Sequence, residues 1–178
     1  MRKTVRFAIA ALLLTAAPLL ANPDGRLSPA DLSGFVLGYE ANDAAVDFAE
    51  WVPKGETVQA WTRMVTMIRL DSLRVTPQQF NQMITEGLAK SCPGATVSEV
   101  STAAIGGRPA ARFRGDCLRN PATGKPEVLF HLAISGQNDL HIRQVAFRYH
   151  PSAEDVRWAE GVLGGTRWCA VGSKQSGC

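Results

Sequence analysis

Chemistry-bearing residues are scarce in this sequence: 3 His, 4 Cys and 2 Tyr among 178 residues. No segment reads His-Glu-x-x-His, Gly-x-Ser-x-Gly, Gly-x-x-x-x-Gly-Lys-Ser/Thr or Gly-x-Gly-x-x-Gly. The zinc helix, nucleophile elbow and phosphate or dinucleotide cradles that those spacings build are therefore excluded as local motifs. There is no Cys-x-x-Cys, the spacing that helps to lower a thiol pKa in redox enzymes. Internal repeats and low-complexity tracts are absent. The longest apolar stretch, Phe7 to Leu20, falls short of the ~20 residues that span a bilayer as a helix. On these grounds we assign no catalytic residue, no metal and no cofactor.

An excess of one charge is missing as well. The chain carries 19 Lys+Arg and 16 Asp+Glu. Three of the basic residues, Arg2, Lys3 and Arg6, and none of the acidic ones precede Asn22, so residues 22–178 carry 16 of each. Bulk electrostatics then give no reason to expect a nucleic-acid or anionic-membrane partner.

The first 21 residues have the make-up of a secretory signal peptide: a basic start, an apolar run interrupted only by Thr15, and the small Ala21 before Asn22. The expected products are a leader, 1–21, and one globular domain, 22–178, located in the periplasm or secreted, with no transmembrane segment after cleavage. That domain is long enough to bury a real core.

The chain is organised around Trp51 to Thr66. Pro53 cannot donate to a ladder and should end a strand arriving through Val46, Phe48 and Val52. Gly55 lets the chain turn. From Arg63 to Leu70 the residues alternate at strand period. Trp51 and Trp61 are expected to pack across the turn; an aromatic ligand platform is the alternative. The segment Pro53-Lys54-Gly55-Glu56-Thr57-Val58 with Trp61-Thr62-Arg63-Met64-Val65-Thr66 resembles one found in small secreted bacterial proteins of the Mog1/PsbP-like group. The resemblance implies an α/β/α-like layering and brings no activity with it.

Further along, Thr76-Pro77-Gln78-Gln79 is a capping box with Pro at the first helical position. Phe80, Met83, Ile84 and Leu88 then form one helical face, with Gly87 permitting close approach to a sheet, and Pro93 stops the helix. A weak strand at Thr96–Val100 is followed by strands over Arg108–Leu118, Glu127–Ser135 and Leu140–Tyr149. Their short connections require an antiparallel meander. Ser152 caps a last helix with Glu154 and Asp155 in its first turn. Asn22 to Arg26 and Gly172 to Cys178 read as irregular ends. The predicted class is α+β, an antiparallel sheet packed by two main helices.

Four cysteines in an exported chain imply two disulfides. Three pairings are possible. The preferred one is Cys92–Cys117, where the long helix ends beside an apolar strand face, which leaves Cys169–Cys178 to close a tail loop. Candidate ligand contacts are few. Arg108, Arg112 and Arg114 lie on one strand and suit a shallow anion site, although such a row is more often a solvated face. Trp51 and Trp61 are the aromatic candidates. His131 and His141, on adjacent strands, would be the centre of a hydrolase. The function expected first is a non-enzymatic binding or interaction module of the cell envelope, taking an envelope protein or a small ligand. The envelope hydrolase and a structural subunit of an envelope assembly are the alternatives.

Overall fold

Period-2 alternation gives the chain its largest share of regular structure. In the computed structural model, which describes residues 25–178, the elements are β1 (Gly25–Leu27), β2 (Phe35–Asn42), β3 (Val46–Pro53), β4 (Arg63–Asp71), α1 (Pro77–Ser91), β5 (Thr96–Val97), β6 (Ser101–Ile105), β7 (Arg108–Cys117), β8 (Glu127–Ser135), β9 (Asp139–Phe147), α2 (Ala153–Gly164) and β10 (Trp168–Ala170). The signal-peptide assignment lies outside the described residues.

Eight strands form one sheet in the order β2-β3-β4-β9-β8-β7-β5, with β6 also paired to β7, while β1 and β10 make a separate two-stranded ladder. All the pairings are antiparallel. β7, β8 and β9 form the expected meander. The junction that sequence order does not announce is β4 against β9, in register from Arg63↔Phe147 to Asp71↔Asp139.

The expectation of an antiparallel sheet packed by two main helices needs correction. Strand accounts for 44% of the structure and helix for 18%, so this is a large sheet with two short helices. A helix about 10 Å across covers about two strands spaced ~4.8 Å apart. α1 accordingly packs on β7 and β8, and α2 on β8 and β9. β2, with Val36, Leu37 and Tyr39 exposed, is an uncovered edge.

The two faces of the sheet carry different cores. On the α2 face, Val65, Val128, Phe130, Leu132, Val145 and Phe147 pack with Ala159 and Leu163. On the α1 face, Val52, Met64, Phe113, Leu129 and Ala146 pack with Ile84 and Leu88, and Ala133, Leu140 and Ile142 with Phe80. Both helices carry reciprocal capping boxes, Thr76 with Gln79 and Ser152 with Asp155. Met83, expected on the packed face of α1, is 60% exposed. Gly87 has open space around it. The close approach is made instead at Gly115 of β7, where a Cβ would lie 2.4 Å from Leu88 Cδ2.

Three smaller elements differ from expectation. Gly25 and Arg26, read as the end of a loose lead, form with Leu27 a strand that pairs with Trp168–Ala170. The strand expected at Thr96–Val100 is only Thr96–Val97, and a further strand, Ser101–Ile105, follows it. Disulfides join Cys92 to Cys117 and Cys169 to Cys178. The first ties the end of α1 to the end of β7, and the second closes the tail onto β10.

Candidate functional site

The sequence candidates separate in space. Arg108, Arg112 and Arg114 alternate along the α2 face of β7, and Arg108 and Arg114 are each engaged separately. Arg108 lies over the Trp168 ring at 5.1 Å. Arg114 grips Asp116 through two hydrogen bonds of 2.6 and 2.8 Å and covers Phe130 at 5.1 Å. Arg112 is half-buried between them.

Trp51 and Trp61 do not pack across the turn. Trp51 belongs to β3 and pairs with Val65, which puts its ring on the α2 face with the main core. Trp61 comes after a second reversal bridged by Thr57 and Ala60. Its ring is on the α1 face, 6% exposed, with the Arg148 guanidinium 4.0 Å above it. The turn is longer than the Pro-Lys-Gly pattern suggested, and that changed the parity.

His131 and His141 also face opposite ways. His131, on the α1 side, is stacked on Phe113 and Phe80 at 5.2 and 6.0 Å between centroids. Burial pushes its pKa down to about 4, so the ring is neutral. His141 is on the α2 side, edge-on to Trp168 at 5.0 Å. The histidine pair imagined for a hydrolase is not assembled.

What the fold does assemble is a charged knot at one end of the α2 face. The register sets Asp47 of β3 beside Arg69 of β4, and Arg69 beside His141 of β9; the next row pairs Asp71 with Asp139. Arg69 Nε donates to Asp47 Oδ2 at 2.6 Å, and its NH1 lies 4.0 Å from Asp71 and 3.9 Å from Asp139. His141 Nε2 is 3.1 Å from Asp139 Oδ2, without the alignment of a hydrogen bond. The hydrogen bond to Asp47 raises the pKa of Arg69 and keeps it charged. Three carboxylates thus surround one permanent cation.

Beside this knot opens a trough of about 370 Å³. α2 stops short of it and β1 closes one side. Leu27, Ala49 and Met67 give it an apolar floor; Arg26, Glu40, Asp47, Arg69 and His141 give it a polar rim. An apolar surface with a few convergent polar groups, at a volume in the range of small-molecule sites, is the arrangement of a ligand pocket. Sequence reading did not find it because its residues lie on β1, β2, β3, β4 and β9. The only trace was charge at the ends of strands otherwise apolar on that face, as at Arg69.

No protein-family model and no characterised protein matches the chain, so the Mog1/PsbP-like resemblance gains no support. Among solved structures the chain is similar to LpqN, described as involved in cell envelope biogenesis of Mycobacterium tuberculosis, with 14% identity and a TM-score of 0.45 over 82% of this chain and 85% of that one. A likeness at that level defines neither a family nor a function. No helix among the described residues is long and apolar enough to cross a membrane.

Proposed function

We propose that the protein is exported to the periplasm or secreted and acts there as a single-domain, non-enzymatic binding module of the cell envelope, its ligand held in the trough between β1 and the β3-β4-β9 part of the sheet. The trough itself carries this reading. Its floor suits an apolar moiety, and its rim of alternating charges suits a polar headgroup rather than a nucleic acid. The two disulfides fit an oxidising compartment. The separation of His131 from His141 weighs against the hydrolase. The test is to purify the wild type and Ala49→Trp, which fills the trough floor, from periplasm and compare them by native mass spectrometry. The wild type should carry a small molecule that the variant lacks; identical spectra would sink the assignment.

One observation favours the structural-subunit reading as well. β2 offers unpaired backbone groups together with exposed Val36, Leu37 and Tyr39. Such an edge is suited to an extended strand from a neighbouring envelope subunit. Val36→Lys should then abolish co-purification of that subunit and leave the trough's ligand in place.

A further inference from the structure

One end of the trough is left unbalanced by its own side chains. Across β2 and β3, Glu40 stands opposite Ala49 and Asn42 opposite Asp47. Glu40 and Asp47 are therefore diagonal neighbours on the α2 face, with backbones about 7–8 Å apart. Both line the trough. Glu40 is exposed and the Asp47 side chain is 46% exposed, so each carboxylate is open to a ligand.

The positive charges nearby are already engaged. Glu40 Oε1 accepts from Asn42 Nδ2 at 3.0 Å, and Glu40 has no ion pair among the described residues. Asp47 Oδ2 accepts from Arg69 Nε at 2.6 Å. That guanidinium also lies 4.0 Å from Asp71 and 3.9 Å from Asp139. One cation thus serves three acids, and Glu40 stands beside them with none. Arg26 does not make good the deficit. It alternates on β1 with Leu27, which packs against the core, and its own guanidinium donates to the Cys178 carbonyl on the tail side. Glu40 Oε2, Asp47 Oδ1 and Asn42 Oδ1 are left as acceptors without donors among the described residues. At the far end of the trough, the His141 side chain is 6% exposed and has no hydrogen bond at either ring nitrogen.

We infer that the trough takes a cationic amphiphile, a primary amine on an apolar chain, with its ammonium between Glu40 and Asp47 and its chain over Ala49, Met67 and Leu27 towards His141. The inference rests on the trough being the binding surface and names the class of its ligand. An ammonium brings three donors, which match the three free oxygens. An anionic headgroup would meet two carboxylates there and no free guanidinium. A divalent metal would need several oxygen or nitrogen ligands, and no group of three His, Cys, Asp or Glu converges among the described residues. From β2 to β9 the trough crosses three gaps between strands, about 14 Å in all, which leaves room for an extended octyl chain on its apolar floor.

Isothermal calorimetry at neutral pH with octylamine, octanoate and octyl glucoside tests the inference. Octylamine should bind saturably and at least tenfold more tightly than octanoate. Glu40→Gln, at an exposed position on the edge strand, should weaken octylamine at least fivefold and leave octyl glucoside unchanged, and Ala49→Trp should abolish binding of octylamine. Octanoate or octyl glucoside binding as tightly as octylamine, and lost in Ala49→Trp, overturns the cationic class and leaves the trough as the binding surface. Octylamine binding that Glu40→Gln retains in full overturns it as well. So does the absence of saturable binding by octylamine. In that case a molecule carried from periplasm by the wild type alone still upholds the trough, whereas identical native spectra of wild type and Ala49→Trp remove both readings.

Discussion

Replacing His131 by Phe should make the protein less sensitive to acid. The imidazole is 3% exposed between two phenyl rings, and its Nδ1 has no partner. In the folded state its pKa is pushed down to about 4 from the usual 6.5, with burial as the cause. The unfolded chain takes up this proton first as pH falls. Stability is therefore complete above about pH 6.5 and is lost as pH drops from there towards 4, because the unfolded state binds more protons in that window. The gap between 6.5 and about 4, at about 1.4 kcal/mol per pH unit, amounts to roughly 3 kcal/mol. That is a large share of the 5–15 kcal/mol typical of a domain. Urea denaturation of wild type and His131→Phe at pH 7.5, 6, 5 and 4.5 measures it. The difference between the two proteins should shift steadily in favour of the variant on acidification. A constant difference across the series would show that the ring is solvated or ion-paired, and the burial argument would fail.

Three further outcomes follow from packing and connectivity. Cys92–Cys117 closes a loop of 25 residues and holds α1 to β7, whereas Cys169–Cys178 spans 9; loop entropy gives about 3.5 and about 2.6 kcal/mol, so the Cys92→Ala/Cys117→Ala pair should lower Tm more than Cys169→Ala/Cys178→Ala, and equal shifts would contradict this. Gly115→Ala should cost roughly 1–3 kcal/mol through its clash with Leu88, and in a Leu88→Ala background the added cost should vanish; a cost that persists there points to backbone strain instead. Arg143, 1% exposed, donates to Thr166 Oγ1 at 2.8 Å and to the carbonyls of Val162 and Ser28, so Arg143→Met should lose roughly 3 kcal/mol by stranding those acceptors, and hydrogen exchange should rise at both the N-terminal segment near Ser28 and the end of α2.

Local signals in the sequence were accurate where one segment carried the whole message. Thr76-Pro77-Gln78-Gln79 announced α1, Ser152 announced α2, and alternation from Arg108 to Phe147 announced the meander. Ser101 to Ile105 could not announce a strand, since it has neither alternation nor a bulky residue before Ile105. Gly25–Leu27 and Trp168–Ala170 are too short for any period to show. The faces of Trp51 and Trp61 depended on turn length, and one misplaced reversal inverts every side chain beyond it. The charged knot and the trough were invisible for a different reason. Arg69 and His141 are brought together by the β4–β9 register, which no local pattern encodes. The layering estimate failed on size: the helices were located correctly, but their area was never compared with the breadth of the sheet.

The β4–β9 ladder has a further consequence. β1 to β4 form one piece and everything from α1 to β10 the other, joined covalently through residues 72–76. Between them stand the long backbone ladder of β4 on β9, the short one of β1 on β10, and the Arg143 bonds that reach Ser28. The molecule is thus two interleaved pieces with a seam, and a cavity of about 540 Å³ between residues 72–76 and 135–139 lies where the seam meets the chain that joins them. Protein nicked at Leu73 should hold together without that bridge, with the two fragments co-migrating until denaturant parts the seam.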